Sequence, residues 1–465
     1  MKILLVNPPI PRVFRMFDFA DDAVRKSFGR RVMVGPPLAL NELASMVPDD
    51  EVVILDQKTE EDNIPGYDFA QVYAEELKRF SPDFVGVTCI TAQYNSVLKI
   101  LNITKEYDKS ILTMVGGIHP TLCPDSFAGS KADLVTVGIG KYSFKRMIEI
   151  FKADGWLADF SRIPGLGLNK GTSLFYTQSI CSLSTEDINE QHILDTVMPN
   201  RKLTDKYNYT IRQMGKKIHY ISTSQGCTHK CNFCSIWQTT GGRYFHKDVE
   251  CIIRELKTMD EYPIIRFCDA NTFGDIKKAR LLFTRIIEEG LNHHYYLADV
   301  RTDTVIRHPD IIELAVKAGL RITICGLEAT SNEELEAYNK QNTIENISGA
   351  LKFLNSLGIL VNGNYIVRPE YVEADFDRVA QFVSDNPIYH AGFTVLTPFP
   401  GTDLYETMKK DIINHNLDYY NLTNAVVETV LPEAKFYEQV GKLYKTSKVA
   451  GDEYRLKYGS DLLVE

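Results

Sequence analysis

Residues 224–237 read SQGCTHKCNFCSIW, and Cys227, Cys231 and Cys234 fall within eight positions of one another. Their spacing is C-x3-C-x2-C. The chain has 465 residues and nine cysteines in all. That is no disulfide scaffold, and in a reducing compartment clustered thiols mean metal or catalysis. Two chemistries suit three thiolates on one short loop. A structural zinc site would need a fourth ligand, from His229 inside the loop or from a distant residue. A cubane iron–sulfur cluster would leave its fourth iron without a protein ligand, and an open coordination position marks a reactive centre rather than a structural one. The other six cysteines (Cys89, Cys123, Cys181, Cys251, Cys268, Cys325) are scattered. No further CxxC pair remains, and several lie in apolar runs where free cysteine packs as a small hydrophobe.

The elements around this loop have a repeating rhythm. From Lys217 onward, strands are expected at Ile218–Ser222, Ile264–Cys268, Tyr295–Val300, Arg321–Cys325, Leu360–Val367 and Gly392–Leu396. Helical patterns separate them, at Val249–Met259, Lys277–Glu289, Asp310–Ala318, Ile344–Leu357 and Asp375–Asp385. About six β/α units suit a partial or full parallel barrel, whose chemistry sits on the loops at strand carboxyl ends. The cysteine loop follows the first of these strands.

The first 150 residues alternate in the same way, with strands expected at Lys2–Val6, Glu51–Leu55, Asp83–Cys89, Ile111–Val115 and Asp133–Val137. Amphipathic stretches at Pro37–Val47, Phe69–Phe80 and Tyr94–Tyr107 lie between them. This pattern predicts an open α/β sheet with parallel strands, and ligands of such sheets settle outside the strand carboxyl ends. Residues 155–216 lose the rhythm and read as a connector packed between domains. The expected organisation is therefore an α/β domain over 1–154, a connector over 155–216, a barrel over 217–402 and a helical region over 403–465.

A net charge of −9 and no lysine or arginine run argue against nucleic acid as a partner. The opening MKILLVNPP is too short an apolar run for a secretory segment or a membrane span. It reads as a buried first strand, and the expected location is the cytoplasm.

With Phe233 in the aromatic place, the cysteine loop resembles the C-x3-C-x-aromatic-C motif of the radical S-adenosylmethionine (SAM) superfamily. The resemblance implies a [4Fe-4S] cluster on Cys227, Cys231 and Cys234. It also implies SAM chelated to the open iron and cleaved by one electron to a 5′-deoxyadenosyl radical. Polar groups at successive strand ends match the family's SAM site: Asp269 and Asn271 in FCDANTFGD, Arg301 and Asp303 in DVRTD, and Glu328 in CGLEATS. Each of these has an ordinary alternative as a helix cap, Asn271 and Ser331 in particular. TPFPGT (397–402) resembles a late-strand family element, and Thr402 reads as a cap. Trp237, with Gly241 and Gly242, either lines substrate or packs.

The front domain resembles the cobalamin-binding domain of cobalamin-dependent radical SAM enzymes. The matching pieces are NPP, PPLAL, VGVTCITAQY, VGGIHPT and VGIGKYSF, in family order. The resemblance implies cobalamin held by Thr88, Thr91, Gly116, Gly117, His119, Thr121, Gly138 and Gly140. Two departures stand out. No D-x-H-x-x-G is present, so no histidine is expected to replace the cobalt's lower base. The family's G-E-G-E also reads Gly138-Ile139-Gly140-Lys141, which removes two carboxylates.

The closest resemblance is to the subgroup of hopanoid C-3 methylases and the anaerobic magnesium-protoporphyrin cyclase. It implies methylation of an unactivated carbon in a small-molecule or lipid substrate, with electrons from a donor such as flavodoxin or ferredoxin. Alternatives are radical oxidation, cyclisation or coupling with the same cofactors, and a cobalamin-binding sensor with an inactive barrel.

Overall fold

A computed structural model describes residues 1–19, 33–190, 197–212 and 214–458. The first sheet has the order β2-β1-β3-β4-β5-β6-β7. Its strands are β1 (Lys2–Asn7), β2 (Glu51–Asp56), β3 (Phe84–Thr88), β4 (Leu112–Gly116), β5 (Leu134–Thr136), β6 (Leu166–Asn169) and β7 (Leu174–Tyr176). The first five are parallel. β1 runs through the middle with almost every side chain buried, which is why it reads as an unbroken apolar run. Its residues still alternate by face. Leu4 and Val6 pack with Tyr73, Leu77 and Ile100 on one side. Ile3 and Leu5 pack with Leu40, Phe144 and Met147 on the other. The sheet is therefore covered twice, and the strand order reverses between β1 and β3, the position that makes a ligand crevice at the carboxyl edge.

Part of the expected connector belongs to this sheet. β6 and β7 add to its edge antiparallel. Two short strands joined by a tight turn carry no intervening helix, so the β/α rhythm gave no sign of them. Of the rest, Arg201, Thr204 and Tyr209 lie buried between the halves.

The second large sheet has the order β16-β15-β14-β13-β12-β9-β8. It comprises β8 (Thr210–Ile211), β9 (Lys216–Ile221), β12 (Ile264–Phe267), β13 (Tyr295–Asp299), β14 (Leu320–Glu328), β15 (Leu360–Val367) and β16 (His390–Val395). Strands β9 and β12 to β16 are parallel, six in all. They form the expected partial barrel, with β8 antiparallel at one edge. Between β9 and β12 stands a small antiparallel hairpin, β10 (Ser224–Gly226) with β11 (Tyr244–His246), absent from the sequence expectations because each strand is three residues long.

The barrel helices are amphipathic and capped. Asp248 accepts from Cys251 N at 3.1 Å, and the helix it starts, Val249–Leu256, buries Val249, Ile252, Ile253 and Leu256. Asp275 caps Ile276–Glu288, which buries Ala279, Leu282, Phe283 and Ile286. Spacings of three and four residues place these side chains on one stripe facing the strands. The long C-terminal helix, Glu433–Tyr458, covers the edge strand β16. Ser447 Oγ donates to Ala391 O at 2.7 Å and Tyr444 Oη to Phe393 O at 2.6 Å, so the edge carbonyls are satisfied by side chains rather than left as a template for pairing.

The two halves are joined by buried polar contacts. Glu42 of the front domain takes Lys247 of the barrel at 2.9 Å and Lys141 at 3.4 Å. Asp56, at the end of β2, accepts from Asn7 Nδ2 at 2.7 Å and from Tyr209 Oη at 2.9 Å.

Candidate active site

The cysteine loop springs from the hairpin. Gly226 has φ +81°, and a Cβ there would lie 2.1 Å from the Arg243 carbonyl oxygen, so only glycine lets β10 turn into the loop beside its partner strand. Asp269, following β12, is buried and fixes the approach. Its Oδ1 accepts from Thr223 N at 2.7 Å and Ser224 N at 2.9 Å, and Thr223 Oγ1 donates to Oδ2. Burial raises the pKa of this carboxyl, while the hydrogen bonds from Thr223 and Ser224 oppose the shift. The loop itself is tied to the segment after β14. Asn232 N donates to Tyr338 O at 3.2 Å, Asn232 Nδ2 to Ala337 O at 2.8 Å and Asn339 Nδ2 to Lys230 O at 2.9 Å. Phe233 packs edge-on against Tyr338, ring centroids 5.4 Å apart, and Trp237 Nε1 donates to Cys231 O at 3.1 Å. Trp237 therefore braces the loop.

Cys231 is buried, and Cys227 and Cys234 are half-buried. Burial pushes the Cys234 thiol up to about 11. It raises Cys231 as well, against the opposing pull of Lys340 and Arg301.

Beside the loop lies a buried ionic network. Arg301 Nε donates to Asp303 Oδ1 at 2.8 Å and its Nη2 to Lys340 O at 2.7 Å. Lys340 Nζ donates to Glu328 Oε1 at 2.6 Å. Glu328 ends β14 with φ +65°, a conformation that non-glycine residues rarely hold and that clusters at functional sites. Gly326 makes room for it: a Cβ there would fall 2.3 Å from Glu328 Oε1. Asn271 is buried, with Nδ2 3.3 Å from Thr228 Oγ1 of the cysteine loop. Ser331 and Thr402 are helix caps, accepting from Glu334 N and Tyr405 N; Asn271 is not.

The carboxyl edge of the front sheet faces this assembly. Cys89 N donates to Gly116 O at 2.7 Å and His119 N to Cys89 O at 3.1 Å. Gly117, at φ +115°, sits where a Cβ would meet Cys89 O at 2.7 Å and Thr88 Oγ1 at 3.1 Å. Thr121 Oγ1 donates to Gly117 O at 2.7 Å and accepts from Gly138 N at 3.1 Å. A Cβ at Gly140 would come within 2.9 Å of Thr136 Cγ2. Thr91 is buried in the short turn Thr91–Gln93. Gly138 stands next to the barrel, where a Cβ would be 3.9 Å from Thr239 O, and Gly401 presses on Leu122. His119 is buried between Tyr94 and Phe127, with Nε2 3.3 Å from Ser126 Oγ. It borders a cavity of about 640 Å³ shared with Tyr405 and His415 of the C-terminal region.

Residues 28–148 match the model of the B12 binding domain, and residues 221–383 match that of the radical SAM superfamily. The chain thus joins a B12-binding domain to a radical SAM domain. It is 27% identical to an uncharacterised methyltransferase of Pyrococcus horikoshii, over 97% of this chain and 92% of that one. It is 31% identical to the hopanoid C-3 methylase of Methylococcus capsulatus, over 49% of this chain and 43% of that protein. The fold is that of the cobalamin-dependent SAM radical enzyme OxsB (TM-score 0.69, 14% identity, 98% of this chain and 72% of that one). It is also that of the radical SAM methyltransferase TsrM from Kitasatospora setae (TM-score 0.65, 17% identity, 94% and 84%).

The residues present fit the family's cofactors. Asn271 Oδ1, Thr272 Oγ1 and Gln225 Oε1 are buried near the cysteine loop without hydrogen-bond partners, as are His119 Nδ1 and Thr136 Oγ1 at the front edge. Buried polar atoms are nearly always satisfied, so both groups suit polar ligands. Lys141 does not stand as a substitute beside the cobalamin edge. It is drawn into the buried pairing with Glu42. Sequence reading passed over Lys340 and Gly326; a glycine two places before a strand-end glutamate was the available signal.

Proposed function

We propose that this protein methylates an unactivated carbon of a small-molecule or lipid substrate. The observation that carries this reading is the juxtaposition of the two edges: Gly138 lies against Thr239, and Leu122 against Gly401. Groups held by the front sheet and by the cysteine loop would therefore share one space. When bound, the cluster and SAM supply a 5′-deoxyadenosyl radical and cobalamin supplies the methyl group. A carbon without acidity cannot be made a nucleophile at neutral pH, so hydrogen abstraction is the route that remains.

This chain's own residues divide the work. Cys227, Cys231 and Cys234 hold the cluster, and Phe233 and Trp237 keep their loop packed. Asn271 Oδ1, an unpartnered buried acceptor beside Thr228, would accept a hydrogen bond from the SAM amino group. Arg301 and Lys340 offer positive charge near the loop, and Asp303 and Glu328 hold them in place. Asp269, its oxygens already engaged by Thr223 and Ser224, acts by positioning the loop. Thr88, Thr91, Gly116, Gly117, His119, Thr121, Gly138 and Gly140 would cradle cobalamin. No described helix is long and apolar enough to cross a membrane, which suits a cytoplasmic enzyme fed by a one-electron donor such as flavodoxin or ferredoxin.

The test is anaerobic purification with iron, sulfide and cobalt analysis, followed by reaction with trideuteromethyl-SAM, reductant, and lipid and small-molecule extracts. About four irons with sulfide and one cobalamin per chain, and products heavier by one trideuteromethyl group, are expected. Deoxyadenosine without labelled product would favour oxidation or cyclisation, as in the anaerobic magnesium-protoporphyrin cyclase of Cereibacter sphaeroides, to which the chain is 22% identical over 76% of its length. Zinc without sulfide, or no deoxyadenosine, would end the reading.

A further inference from the structure

At the amino-terminal ends of β12 and β13, opposite the cysteine loop, two loops bring Asp260, His293 and His294 together. A ligand atom from each lies within 4.8 Å of the other two. Asp260 Oδ1 is 3.7 Å from His293 Nε2 and 3.8 Å from His294 Nε2.

The tautomers are fixed by the backbone. His294 Nδ1 is 3.0 Å from Tyr262 O, and His293 Nδ1 is 2.9 Å from Gly290 O. A carbonyl oxygen only accepts, so each Nδ1 carries the proton and each neutral ring keeps its Nε2 lone pair free. Metal-binding histidines are oriented by this same kind of bond from the non-ligating nitrogen to a carbonyl. His294 is 1% exposed, and its Nε2 is buried with no hydrogen-bond partner. A buried acceptor aimed at a carboxylate, which is itself only an acceptor, is an unstable arrangement unless a cation stands between them.

We propose that Asp260, His293 and His294 bind a divalent transition-metal ion, with zinc the best fit, at a site separate from the radical chemistry. A tetrahedral ion with bonds near 2.0–2.1 Å would hold its ligand atoms roughly 3.4 Å apart, so the two histidine–Asp260 distances need to close by only a few tenths of an ångström. Two imidazoles and a carboxylate favour zinc, nickel or copper over magnesium or calcium. The fourth position would be water, since Asp260 and His293 are exposed. The ion would clip the loop before β12 to the loop before β13. These loops are already in register through the hydrogen bond from Tyr295 N to Pro263 O.

The experiment is equilibrium dialysis of the iron-loaded protein against buffered zinc under anaerobic conditions, with zinc and iron counted per chain. Wild type should hold one zinc more than His293→Gln and Asp260→Asn. Both changes are at exposed positions, so the fold should be kept, and any zinc taken by vacant cysteines is common to all three proteins. Zinc should also raise the melting temperature of wild type and leave that of the two variants unmoved. Equal zinc counts across the three, or an equal thermal response, would overturn the site.

Discussion

His119 is the residue whose surroundings depart furthest from an ordinary reading of its motif. The cleft loop places it between Tyr94 and Phe127, and burial pushes its pKa down to about 4. Its folded pKa is therefore below the unfolded value of about 6.5. The neutral ring contributes fully above that pH, and the contribution fades as the unfolded chain takes up a proton between about 6.5 and 4. His219, held to about 3 by burial and Arg201, acts in the same direction. Urea unfolding of wild type should therefore show stability falling as pH is lowered from 6.5 to 4. In His119→Gln this fall should shrink by roughly 3 kcal/mol. An unchanged slope would mean the ring is not held neutral.

At the scale of elements, the hairpin β10–β11 matters most, because it sets where the cysteine loop begins. Asp269 secures it by accepting from two backbone N–H groups. Replacing Asp269 with alanine leaves those donors buried without partners, a cost of about 1–3 kcal/mol each. The expected outcome is a chain whose helix content is retained while reconstituted iron per chain falls several-fold. Gly226→Ala should do the same more severely, since its Cβ would strike a backbone carbonyl. Circular dichroism and iron analysis on the same samples check both. Full iron loading in either variant would show that the hairpin does not position the ligands.

At the scale of the whole molecule, the two cofactor-binding halves have to keep a fixed spacing. Glu42 joins them as the shared partner of Lys141 and Lys247. Burial opposes its charge, yet the two lysines hold its carboxyl below the usual range. Glu42→Gln would remove the carboxylate that two buried ammonium groups share, and breaking such a pairing costs about 3–5 kcal/mol. Calorimetry should show one transition for the wild type and a broadened or split one for the variant, as front domain and barrel uncouple. A variant that melts as one sharp transition at the wild-type temperature would assign the coupling to other contacts, Asp56 with Tyr209 among them.

The spacing of Cys227, Cys231 and Cys234 and the alternation of strand and helix were legible in the residues themselves. Three thiols on one loop and a period of burial are local properties, carried by neighbours in the chain. The same holds for the caps at Ser331 and Thr402, whose signals span three residues. What the folded molecule alone decided are contacts between distant segments. Lys141 reads as a lost carboxylate until Glu42 is seen beside it. That Asp269 holds Thr223 and Ser224 is likewise invisible in the sequence, and the Asp260–His293–His294 trio has no motif because its members come from two loops 33 residues apart. The strands β6, β7, β10 and β11 stayed hidden because three or four residues make too short a pattern to show a period, and only pairing with a partner strand makes them strands.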